Sequence, residues 1–122
     1  MSDPNFFLLY VSSPTQSAAF YAELLGKPAV EASPTFALFA LDSGVMLGLW
    51  ATHTVQPPSP AVGGSELAFA VNSVAEVNAH HTAWQAKGLK IIQAPVAMDF
   101  GFTFTAQDPD GHRLRVFAPA AA

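Results

Sequence analysis

Apolar residues along this chain run in strand-like stretches, then at helical spacing, then in strands again, and the cycle occurs twice. "LLYVSSPTQSAAFYAELLGKPAV" (8–30) matches "LAFAVNSVAEVNAHHTAWQAKGLKI" (67–91) in layout. Each segment opens with an apolar strand ending in valine (Val11, Val71), has a serine two residues on, and continues as a helical pattern closed by Gly and Lys. Ser13 with Gln16, and Ser73 with Glu76, fit the Ser-x-x-Glu/Gln capping box, in which the serine oxygen accepts from an orphan amide and the long side chain reaches back. Pro14 falls at the first helical position, where a missing N–H costs nothing. The cap offset, 73 − 13 = 60, also separates the two valines, so the chain reads as an internal repeat.

Short strands follow each helix. The first half predicts strands at 27–31, 35–42 ("TFALFALD") and 45–52 ("VMLGLWAT"), with Asp42-Ser43-Gly44 as a turn. The second predicts 89–93 ("LKIIQ"), 102–107 ("FTFTAQ") and 112–118 ("HRLRVFA"), turning at Asp108-Pro109-Asp110-Gly111. Two β-α-β-β-β modules result, about 4–52 and 65–118, with the Pro/Gly-rich "HTVQPPSPAVGG" (53–64) as linker, all within one domain spanning 1–122. Such modules predict an α+β protein of two curved mixed sheets, each covered by a helix on one face and concave on the other.

Composition narrows the function classes. Half the residues (51%) are hydrophobic and 11% are charged, which predicts a strongly buried core and more apolar surface than a small monomer hides. A homodimer, an apolar ligand, or both would cover that surplus. The net charge of −4 leaves no basic patch, so neither nucleic acid nor an anionic membrane is expected as a partner. No cysteine is present, which removes disulfides, thiolate catalysis and zinc–thiolate sites. No basic n-region with an apolar run opens the chain, and no stretch reaches the ~18 apolar residues of a membrane span, so a cytoplasmic protein is expected.

The "VSSPTQSAAFYAELLG" opening, the "ELAFAVNSV…AWQAKG" middle and the "DPDGH" turn together resemble the vicinal oxygen chelate superfamily of glyoxalases, extradiol dioxygenases and bleomycin-resistance proteins, over nearly the whole chain. The resemblance implies a metal site built from four strand positions, which here are Phe6, Gly48, Glu66 and Arg115. One potential ligand among four does not make a metal site, because a divalent ion needs three or more converging N or O donors and a guanidinium repels it. His80 and His81 are adjacent, facing about 100° apart, whereas helical metal pairs use i, i+4 spacing. They read as partly solvated helix residues, and His53 and His112 as structural or solvated ones. No metal, no cofactor and no catalytic residue is therefore assigned.

Within that superfamily the chain is most similar to metal-free phenazine-antibiotic resistance proteins, through Tyr10-Val11-Ser12 with Ser17 and Phe20-Tyr21, "LGLW" ending at Trp50, Gly101-x-Thr103-Phe104, and the final turn through Arg115-Val116. That likeness implies sequestration of a small planar aromatic antibiotic. The family register, with strand alternation, lines the pocket with Phe6, Leu8, Tyr10, Met46, Gly48, Trp50, Thr52, Glu66, Ala68, Ala70, Arg113, Arg115 and Phe117. Met98 and Phe100, in a loop beside Gly101, serve as a lid or a dimer interface. Arg115 and Glu66 either pair across the slot, or Arg115 forks a ligand carboxylate. Trp84 lies on the core face of its helix. Competing readings are a metal-dependent lyase or dioxygenase with displaced ligands, a metal-free isomerase with Glu66 as base, and a regulatory module with a vestigial pocket.

Overall fold

The structure is a computed structural model and describes residues 1–120. The chain is α+β and forms two compact units, Met1–Ala61 and Val62–Ala122, each holding one four-stranded mixed sheet and one helix.

In the first unit, β1 (Phe6–Val11), α1 (Pro14–Leu25), β2 (Glu31–Ala32), β3 (Phe36–Ala40) and β4 (Met46–Ala51) form a sheet of order β1-β4-β3-β2, with β1 parallel to β4. The parallel pairing needs a crossover, and α1 supplies it. Ser13 caps α1 as expected, its Oγ accepting the Gln16 N–H at 3.2 Å, and Gly26 closes the helix in the left-handed region at φ 71. One sheet face packs on α1: Val11, Phe39, Leu49 and Ala51 are buried with Tyr21, whose ring meets Phe20 edge-on. Phe7, which the register with Leu47 puts on this same face, stays half exposed. The strand expected at 27–31 shrinks to Glu31–Ala32, and Thr52 leaves the sheet for a short 3-10 turn over Thr52–Thr54. Thr52 therefore does not follow Trp50 along the pocket face.

The second unit repeats the topology with β5 (Glu66–Ala70), α2 (Val74–Ala86), β6 (Lys90–Met98), β7 (Gly101–Gln107) and β8 (Arg113–Pro119), in the order β5-β8-β7-β6. Ser73 caps α2 through the Glu76 N–H at 3.2 Å, while the Glu76 carboxylate accepts from the Asn72 amide rather than from Ser73 itself. Trp84 packs edge-on against Phe69 and Phe104, and Val77 and Leu114 are buried beside it. The Asp108 turn is held by that residue's own carboxylate, which accepts the N–H groups of Asp110 and His112, each at 2.9 Å. Gly111 takes φ 90 at the end of the turn.

β6 is the largest departure from the expected layout. It runs nine residues instead of five, through Pro95, with register shifts on both sides of Gln93. Met98 is consequently a strand residue paired with Gly101, and only Asp99-Phe100 form the connection. Gly101 sits at φ 149 with its α-carbon against the Ala118 carbonyl; a Cβ there would lie 2.0 Å from that oxygen, so no other residue fits.

Candidate functional site

Residues paired across neighbouring strands present their side chains to one face. In the first unit the register Phe6↔Met46, Leu8↔Gly48↔Leu38 and Tyr10↔Trp50↔Phe36 gathers six of the seven expected residues, all but Thr52, on the face opposite α1, together with Phe36 and Leu38. The Tyr10 and Trp50 rings meet edge to face with centroids 6.1 Å apart. Gly48 is not an open floor: a Cβ there would meet Leu8 Cδ2 at 2.6 Å and Phe36 Cζ at 3.0 Å, so both side chains already lie over it. Phe6 and Leu8 remain 54% and 46% exposed, which leaves a solvent-facing apolar surface around the aromatic pair.

In the second unit, Glu66, Ala68, Ala70, Arg113, Arg115 and Phe117 share the face opposite α2. Arg115 is the centre of a hydrogen-bond network. Its Nε donates to Glu66 Oε1 at 2.6 Å and its Nη2 to Oε2 at 3.3 Å, while Nη1 donates to Gln93 Oε1 at 3.0 Å and Thr103 Oγ1 at 3.2 Å. Thr105 Oγ1 donates to the same Gln93 oxygen at 3.0 Å, and Thr103 Oγ1 to the Val116 carbonyl at 2.8 Å. The Phe100 ring stacks on the guanidinium, with Arg115 Cζ 5.6 Å from its centroid, and meets Phe117 edge-on at 6.0 Å. Met98 Sδ accepts from Gln93 Nε2 at 3.6 Å.

This network corrects two expectations. Glu66 and Arg115 stand on adjacent strands of one sheet, so the pair joins β5 to β8 instead of bridging a slot. Four of the five guanidinium N–H groups are spent on protein acceptors, which makes Arg115 a poor fork for a ligand carboxylate. Both Glu66 oxygens already accept from that guanidinium, so neither is poised for a substrate proton. The face is also more polar than expected: Gln93, Thr103 and Thr105 belong to it and escaped the sequence reading. The alternation in "FTFT" was a usable signal for the threonines. None existed for Gln93, whose direction is set by the bulge.

Two clefts open on the second unit. One, of about 250 Å³, is lined by Ile92, Gln93, Thr105, Arg113 and Arg115. The other, of about 570 Å³, runs along Val62–Glu66 to Gln107, Gly111 and Arg113. The four positions that would hold a superfamily metal do not fit one. Phe6 and Gly48 offer no donor, Arg115 is cationic, and Glu66 is committed to it; among the described residues no three His, Cys, Asp or Glu side chains come together. His81 packs edge-on against Phe104, and His80 lies exposed on α2. No helix among the described residues is long and apolar enough to cross a membrane.

Comparison with known proteins agrees with this architecture. The family model for the Glyoxalase/Bleomycin resistance protein/Dioxygenase superfamily matches residues 4–116. The phenazine antibiotic resistance protein EhpR of Enterobacter agglomerans is 28% identical over 116 residues, covering 93% of this chain and 89% of that one. A protein of Agrobacterium tumefaciens solved by solution NMR is 51% identical with a TM-score of 0.92, covering 99% of this chain and all of that one. A glyoxalase-related enzyme from Fulvimarina pelagi, 23% identical with a TM-score of 0.84 and covering 100% and 94%, shares the fold.

Proposed function

The chain belongs to the glyoxalase/bleomycin resistance protein/dioxygenase superfamily, and on that premise we propose that it binds and sequesters a small planar aromatic molecule, a phenazine-like antibiotic, without a metal and without transforming it. The observation that carries this reading is the helix-free face of the first unit, where Tyr10, Trp50 and Phe36 stand in one row beside exposed Phe6 and Leu8. The likeness to a phenazine antibiotic resistance protein along almost the whole chain supports the choice of ligand. The donor set at the superfamily's metal positions, which does not suit a divalent ion, supports holding over converting.

The energetics ask for rings and something more. Burying roughly 200 Å² of apolar ligand surface contributes about 5 kcal/mol. Offset or edge-on packing against an aromatic side chain adds roughly 1 kcal/mol. A micromolar complex needs about 8 kcal/mol, so a polar contact has to supply part of the affinity. The binding unit in this reading is a homodimer, since Phe6, Phe7, Leu8 and Met98 expose apolar surface that a second copy would cover.

Titration of a panel of phenazines against intrinsic Trp fluorescence tests the proposal. Saturable quenching in the micromolar range is expected, weakened more than about tenfold (~1.4 kcal/mol) in Trp50→Ala. A flat response across the panel up to about 100 μM, some 5.5 kcal/mol, would end it.

A further inference from the structure

The helix-free face of the second unit is graded along its strands. One row reads Ala70–Phe117–Thr103–Val96, the next Ala68–Arg115–Thr105–Gln93, and the last Glu66–Arg113–Gln107–Lys90. Apolar and neutral groups thus give way to charged ones toward the end where the 570 Å³ cleft opens. In the last row the Glu66 carboxylate is drawn off to Arg115, and that pair is neutral as a unit. Arg113 and Lys90 are both exposed, and among the described residues neither is engaged in a hydrogen bond or an ion pair. Of the two acids in the preceding turn, Asp108 directs its carboxylate onto the Asp110 and His112 amides, and Asp110 stands three residues before Arg113. Arg113 lines both clefts, and Ser65, Gln107, Gly63, Gly64 and Gly111 line the larger one with it, together with Glu66, whose carboxylate is paired with Arg115.

We propose that Arg113, with Gln107 beside it, forms a carboxylate-binding subsite in the cleft of the second unit, which takes small organic carboxylates. The chemistry separates the two arginines. Arg115 spends four of its five N–H groups on protein acceptors, whereas Arg113 lines a cleft of about 570 Å³ with its side chain unengaged among the described residues. Gly63, Gly64 and Gly111 in the lining keep side chains out of the way; the Gly111 N–H is donated to the Asp108 carbonyl at 3.0 Å, which leaves the Gly63–Gly64 segment as the backbone an oxygen would approach. The anion subsite stands on the second unit alone and does not depend on the ring-binding face of the first.

Heteronuclear NMR on the whole protein reads the subsite directly. On titration with benzoate, the Arg113 Nε–Hε signal and the Gly63 and Gly64 amides are expected to shift along one saturable curve, while benzyl alcohol leaves them in place. Arg113→Gln should abolish the glycine shifts with the remaining spectrum unchanged, which reports an intact fold. Absence of benzoate shifts, their persistence in Arg113→Gln, or equal shifts with inorganic phosphate at the same midpoint would overturn the subsite. If phenazines fail to bind while benzoate saturates the cleft, the ring-binding reading falls and the subsite remains.

Discussion

Gly48 and Arg115 occupy corresponding places in the two repeats, since Gly48 pairs with Leu8 and Arg115 with Ala68, sixty residues after Leu8. The sizes are inverted: in one repeat a large neighbour covers a glycine, and in the other a long arginine lies beside an alanine. Gly48→Ala should therefore cost about 1–2 kcal/mol, because the new Cβ pushes on Leu8 and Phe36. Adding Leu8→Ala should relieve the clash, so a double-mutant cycle in urea should show a coupling of roughly 0.5 kcal/mol or more. For Arg115→Gln we expect a loss of about 1–2 kcal/mol, as Glu66 loses both its donors but retains contact with solvent. The denaturation midpoint should fall with an unchanged slope. The identities of these side chains and the face they share were legible in the sequence. The Arg115–Glu66 pair was one of the two readings the sequence offered, whereas Gln93 was not legible, because its direction depends on where β6 bulges.

Elements were read more reliably than partners because their signals are local. Both helices begin at the predicted serines, since a cap needs only its own next three residues. Ser13→Ala or Ser73→Ala should each cost about 1 kcal/mol by thermal or chemical unfolding. Asp108→Ala should cost more, roughly 1–3 kcal/mol, because one buried carboxylate satisfies two turn amides at once. Strands fared less well where long-range pairing overrode local pattern. "LKIIQAPVAM" carries a proline that argues for an end at Gln93, yet bulges let β6 continue past it to Met98. That extension turned Met98 from a loop residue into part of the sheet, within reach of Gln93.

At the scale of the molecule, the sixty-residue repeat predicted two units of one topology, and both sheets have it, with the N-terminal strand parallel to the last. The apolar surplus in the composition corresponds to exposed Phe6, Phe7, Leu8, Met98 and Phe100, the surface that the proposed second copy would cover. Sedimentation equilibrium at micromolar concentration should give twice the chain mass, and a monomer at that concentration would count against the dimer. Sequence could not foretell the division of labour between the faces, with rings gathered in the first unit and a spent and an unspent arginine in the second. The most direct test of holding without converting is titration calorimetry of a phenazine carboxylate into protein dialysed exhaustively against EDTA. The account predicts one saturable binding event in the micromolar range, unchanged when divalent ions are restored, with the ligand recovered intact. Binding that disappears on chelation and returns with a metal, or a ligand recovered altered, would contradict it.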